Sequence, residues 1–178
     1  MSTRKDVFGS ILGGDVEHFR ELVEEHGPNL KIDYTSPALF LCATMSLAMT
    51  KILVEAGADV NTVCQSWDSS ETPLYLAAFE KHHDIALYLI SQGANVNAII
   101  SKGRTIMHIL CQFDDQLATI KVLLATGKVD ETIRDDEGRL IWESGNTQSV
   151  FVRYFEVRAT VKQLNLSEDI IKHILLFI

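Results

Sequence analysis

A repeat of about 33 residues constrains this chain more than any other feature. Thr72 opens one copy, Thr105 opens another 33 residues later, and Ser36 precedes Thr72 by 36. Ser36-Pro37 and Thr72-Pro73 are helix starts: the hydroxyl can accept a first-turn N–H that has no backbone partner, and proline at the first helical position loses no hydrogen bond. Thr105-Ile106 repeats the signal without the proline. The copies also close alike. LVEAGADVN at 53–61, LISQGANVN at 89–97 and LLATGKVDE at 123–131 set Gly57, Gly93 and Gly127 at 21, 21 and 22 residues after their openings, where a helix end favours a left-handed residue. From Thr72 to Ala98, Leu74, Ala77 and Ala78 form a small-residue face on the first helix. Ile85, Tyr88 and Leu89 share one face of a second helix that begins near Asp84. Two helices this short cannot bury a core alone, so each copy needs neighbours of its own kind.

The period and the Thr-Pro-Leu opening resemble the ankyrin repeat, a β-turn plus two helices with the signature T-P-L-H-x-A. The match is close from Thr72 to Ala98, good from Ser36 to Asn61, and weaker from Thr105 to Glu131. The resemblance implies an all-α fold, an ankyrin-repeat solenoid of helix-turn-helix units with short β-hairpin connections. It divides the chain into an N-terminal capping repeat (1–30), three ankyrin repeats (31–65, 66–101 and 102–134), a degenerate C-terminal repeat (135–164) and an apolar C-terminal helix (165–178). In the cap, the pattern from Val7 to His26 reads as a helical pair. Val16, Phe19, Leu22 and Val23 make its apolar stripe, and Glu17, Arg20, Glu21, Glu24 and Glu25 give the polar outer face an end repeat needs. Gly138 to Glu143 is a worn fifth opening, with Leu140 where a capping threonine would stand.

Composition narrows the function. The chain has 178 residues, 47% of them apolar, enough for one domain or one stack. A net charge of −8 offers no basic stripe to neutralise phosphates, so neither nucleic acid nor an anionic membrane is an expected partner. No apolar run reaches the roughly 18 residues of a membrane span. The polar start from Met1 to Ser10 has no signal-peptide character. Three cysteines without a CxxC pair argue against a disulfide framework. The expected setting is the cytoplasm, or the nucleus.

No catalytic motif is present: no P-loop, no dinucleotide fingerprint, no HExxH and no nucleophile elbow. The expectation is no enzyme, no cofactor and no metal. His82-His83-Asp84, the densest titratable cluster, falls in a turn between two helices and is read as polar loop. His108 aligns with the histidine of T-P-L-H, which in the family is structural, bonding near the hairpin base. Cys42 and Cys111 hold equivalent repeat positions and read as small buried residues, whereas Cys64 lies in the longest connector. Asn61 and Asn97 each follow a leucine by eight residues. That context resembles an asparaginyl hydroxylase substrate, with a hairpin-closing amide as the alternative.

Ankyrin-like stacks bind partners through hairpin tips and the exposed side of their first helices. By register those positions carry Trp67, Phe79, Glu80, Ile99, Ile100, Gln112 and Phe113, and Trp67, Phe79, Ile100 and Phe113 are expected to form an apolar stripe on the surface. Two function classes follow. Short ankyrin proteins of this kind resemble the inhibitors of Rel-type transcription factors, including truncated viral versions, which implies a monomeric scaffold or inhibitor without chemistry. Alternatively, LNLSEDIIKHILLFI at 164–178 resembles the first helix of an F-box, or of the related C-terminal box of poxvirus and parasite ankyrin proteins. That likeness implies a cullin ubiquitin-ligase adaptor contacting its scaffold through the run from Ile170 to Ile178. The chain departs from the box at Asn165, where proline is usual, and supplies one helix of about three.

Overall fold

A computed structural model describes residues 2–32, 36–65 and 69–144. The expected apolar helix at 165–178, with its likeness to an F-box, most of the degenerate repeat, and Trp67 lie outside the described residues. The described residues hold eight α-helices, two short 3-10 turns and two two-stranded antiparallel hairpins. The chain divides into two compact units, residues 1–95 and 96–178.

The first unit contains three helical pairs: α1 (Ser2–Gly13) with α2 (Val16–His26), α3 (Ala38–Ala43) with α4 (Leu47–Glu55), and α5 (Pro73–Phe79) with α6 (His83–Ser91). The first helices contact in series, α1 with α3 and α3 with α5, and the second helices do the same, α2 with α4 and α4 with α6. The starts follow local chemistry. Asp15 Oδ1 accepts the His18 N–H at 3.0 Å, Ser46 Oγ accepts the Met49 N–H at 3.3 Å, and Thr72 Oγ1 accepts the Tyr75 N–H at 3.1 Å. The closings repeat as well. The Ala58 N–H donates to the Leu53 carbonyl and the Ala94 N–H to the Leu89 carbonyl, each at 2.9 Å, with Gly57 and Gly93 left-handed just before. Ala77 and Ala78 are fully enclosed, as are Cys42 and Ala43 one repeat earlier. Small side chains at these positions let neighbouring helices close up.

One buried cluster joins the first two pairs: Val7, Ile11, Phe19, Leu22, Leu39, Met49 and Leu53. Three details differ from expectation. α3 begins at Ala38 with Pro37, not Ser36, in the cap position and no side-chain cap bond, so the opening is shifted by one residue from that of α5. α1 begins at Ser2, ahead of the apolar signal at Val7. The cap is also less polar than expected: the α2 charges do point outward, but Phe8 and Leu12 stand 43% and 53% exposed on α1. They occur because Val7 and Ile11 supply the inward pair at i, i+4, leaving the next residue of each turn outside. A short hairpin, β1 (Cys64–Gln65) with β2 (Ser70–Glu71), leads into α5.

The second unit opens on the hairpin of β3 (Ile99–Ser101) and β4 (Arg104–Thr105). Lys102 and Gly103 at its tip both have positive φ, 51° and 69°, the geometry of a two-residue turn that matches strand twist. α7 (Ile106–Leu110) follows directly, then a 3-10 turn (Asp114–Gln116), α8 (Leu117–Ala125) and a last 3-10 turn (Ile141–Glu143). Ile106, Met107, Leu110, Ile120, Leu123 and Ile141 are its enclosed apolar residues. At the worn fifth opening, Glu143 does what threonine would not do there: its Oε2 accepts the Leu140 N–H at 2.7 Å.

Candidate protein-interaction surface

In the first unit, α5 sets Tyr75 and Phe79 one above the other, because residues four apart share a helix face. Their ring centroids lie 5.7 Å apart at an interplanar angle of 37°, within the range of favourable tilted aromatic pairs. Both rings are half-buried. Glu71 at the end of β2 and Glu80 just past the helix lie within electrostatic reach of the Tyr75 hydroxyl. Burial first, then these two carboxylates, push that phenol above its ordinary value. Glu80 is exposed and Glu71 half-buried. The sequence reading singled out Phe79 and Glu80 but missed Tyr75, although its i−4 spacing from Phe79 was the available signal. It also missed Met45, which stands 46% exposed in the turn of the preceding repeat.

In the second unit, the expected residues separate. Ile99 is 49% exposed and Phe113 42% exposed. Ile100 is 3% exposed and is core, which removes it from the expected surface stripe. Ile99 and Ile100 of β3 face opposite ways, at the point where the pairing of β3 with β4 is irregular, so Ile99 stands outward and Ile100 inward. Gln112 is half-buried, and its amide nitrogen turns back to the His108 carbonyl at 3.4 Å.

A polar network holds the two hairpin openings of this unit together. His108 is fully buried. Its Nδ1 accepts the Thr105 N–H at 3.3 Å and faces Thr105 Oγ1 at 2.9 Å, so the proton sits on Nε2, which donates to the Arg139 carbonyl at 3.2 Å. Burial lowers the ring's pKa below its ordinary value, outweighing the Arg139 carbonyl and Asp135, which raise it. Asp135 is the buried anion beside it. Its carboxylate accepts the backbone N–H groups of Glu137 and Arg139 at 3.0 and 2.9 Å, and Arg139 Nε and Nη2 at 3.0 and 2.8 Å. Burial pulls this carboxyl upward, and those hydrogen bonds bring it below the usual carboxylate range. Arg104 Nε approaches the same carboxylate at 3.7 Å, and Glu137 contacts both arginines. The Asp135 carboxylate is thus taken up by structural partners, whereas Arg104 Nε is buried beside it without a hydrogen bond.

Among the described residues no cluster of histidine, cysteine or carboxylate could hold a metal ion. The Cys42 thiol is buried and its pKa is pushed up to about 12 by desolvation, which suits packing and not nucleophilic work. The side chains of Asn61 and Asn97 are engaged: each amide bonds backbone more than thirty residues on, Asn61 to Gly93 and Asn95, Asn97 to Lys128 and Asp130.

Comparison with known proteins fits this geometry. A family model described as Ankyrin repeats (3 copies) matches residues 9–100 and 63–135. The chain is 26% identical over 126 residues to the Ankyrin repeat and SAM domain-containing protein 6 of Rattus norvegicus, covering 69% of this chain and 14% of that protein. It is 37% identical over 98 residues to the BRCA1-associated RING domain protein 1 of Caenorhabditis elegans, covering 54% of this chain and 14% of that protein. It is 48% identical over 58 residues to Protein fem-1 homolog C of Homo sapiens, covering 33% of this chain and 9% of that protein. The chain thus spans only a small part of each relative's length. With repeated capped helix pairs, glycine closings and the match over residues 9–135, the chain belongs to the ankyrin-repeat family.

Proposed function

We propose that this chain is a non-enzymatic recognition module that binds a partner protein through its hairpins and the outward side of its first helices. Ankyrin repeats generally mediate protein–protein interaction. The observation that carries the reading is the outward placement of large apolar side chains, Ile99 on the β3 hairpin strand and Phe113 in the turn that follows α7. Ile99 and Phe113 stand 49% and 42% exposed while the residues beneath them are enclosed, and exposed apolar groups at such sites anchor interfaces. Phe79 and Glu80 belong to the same set in the first unit, with Gln112 as a polar neighbour of Phe113; Trp67 joins it by register. The module acts as a monomeric inhibitor or scaffold of the kind that restrains Rel-type transcription factors. Cys42, Cys64 and Cys111 form no disulfide, which supports a reducing compartment, cytoplasm or nucleus. The cullin-adaptor alternative rests on the resemblance at 164–178 alone.

Cross-linking and affinity capture of the full chain from cells tests the proposal. The expected result is a partner lost on Ile99→Ala or Phe113→Ala with the circular dichroism spectrum unchanged. Captured partners that bind both variants as well as the parent overturn the assignment of this surface. Cullin-scaffold proteins among them favour the adaptor.

A further inference from the structure

We propose that the α5 face formed by Tyr75, Phe79, Glu71 and Glu80 is a receptor for a basic side chain, arginine or lysine, of the partner protein. The inference rests on the recognition reading above and specifies the partner's chemistry at one position. Three observations carry it. The tilted rings of Tyr75 and Phe79 are half-buried and partly open to solvent, and an aromatic face attracts a cation, arginine most of all. Carboxylates flank the pair along the chain, Glu71 at the end of β2 four residues before Tyr75 and Glu80 directly after Phe79 at the end of α5, and both act on the Tyr75 hydroxyl. Among the described residues neither carboxylate is paired with a cation.

Unpaired carboxylates bracketing an aromatic pair are complementary to a guanidinium or ammonium, which would meet the rings with its flat or apolar part and the acids with its N–H groups. The chain's net charge of −8 adds long-range attraction for a basic segment. An acidic or wholly apolar anchor would leave both carboxylates without a partner at a closing interface, at a desolvation cost.

The test pans a random dodecapeptide library displayed on phage against the full chain, then measures the recovered peptides by fluorescence anisotropy at two salt concentrations. The expected binders carry arginine or lysine and lose about fivefold or more in affinity on Glu71→Gln with Glu80→Gln, the size of one cation–π or charge contact. They also weaken on Tyr75→Ala. The control Glu21→Gln with Glu24→Gln removes the same charge from α2 and leaves affinity unchanged. An equal loss in that control, which would show net-charge attraction only, overturns the inference. Binders without basic residues that still weaken on Tyr75→Ala also overturn it and leave the recognition reading standing. A library that returns no binder sensitive to this face overturns the inference, and binders that weaken instead on Ile99→Ala or Phe113→Ala leave the recognition reading standing.

Discussion

The side chain of Asn61 reaches across one whole repeat to Gly93: its Nδ2 donates to the Gly93 carbonyl at 3.1 Å. Its Oδ1 completes the clamp by accepting the Asn95 N–H at 2.8 Å. Asn97 repeats the device in the second unit, donating to the Lys128 carbonyl at 2.9 Å and accepting the Asp130 N–H at 2.8 Å. The residue thus ties one helix exit to the next. Asn61→Ala should cost ~1–2 kcal/mol, two net hydrogen bonds in a partly exposed setting. Urea unfolding measures it, and Asn61→Asp, which keeps the acceptor alone, should fall between the two. A cost within 0.5 kcal/mol would show that the clamp is dispensable.

Adjacent isoleucines of β3 should respond oppositely. Ile100→Ala removes a buried side chain and should cost ~2–5 kcal/mol. Ile99→Ala, at an exposed position, should stay within about 0.5 kcal/mol of the parent. Thermal melts of the two variants side by side decide it, and equal destabilisation would mean that β3 is turned or bulged differently.

His108 makes stability depend on pH in a predictable direction. Its folded pKa lies below the ordinary 6.5, so the unfolded chain takes up its proton first. The contribution is fully present above 6.5 and is lost as pH falls through that value toward the depressed folded one. The melting temperature should therefore drop between pH 7 and pH 5. His108→Gln can keep a donor toward the Arg139 carbonyl and an acceptor toward Thr105, and it should flatten the slope over that window. An unchanged slope in the variant would assign the dependence to other groups.

Two left-handed glycines should differ in their tolerance of alanine. Gly93 has φ of 93° and open space at the Cβ position, so Gly93→Ala should cost only the backbone penalty, roughly 1–2 kcal/mol. At Gly103, φ is 69° and a Cβ would lie 2.5 Å from Asp136 Oδ1 and 2.7 Å from the Asp136 nitrogen. The Asp136 N–H donates to the Lys102 carbonyl, so the backbone cannot withdraw without losing that bond. Gly103→Ala should thus destabilise more than Gly93→Ala in the same melt, and the reverse order would show that the tip relaxes freely.

Much of this protein is determined by residues within four positions of each other, and that part was legible. Thr72 caps α5 through the N–H three residues on, Pro73 takes the first helical place, and Gly93 ends the pair after α6. These interactions need no distant partner, so the repeat, its helices and its family resemblance follow from the sequence alone. Where the local signal was faint, the boundary moved. The polar run from Ser2 to Asp6 lacks apolar periodicity yet is helical, because the buried pair Val7 and Ile11 anchors α1. Tertiary structure alone decided which of Ile99 and Ile100 is core, since the irregular pairing of β3 with β4 sets the facing of each residue. It alone brought Asp135 to Arg104, some thirty residues apart. Facing and long-range pairing depend on how one repeat lies on the next, and no residue's immediate neighbours carry that information.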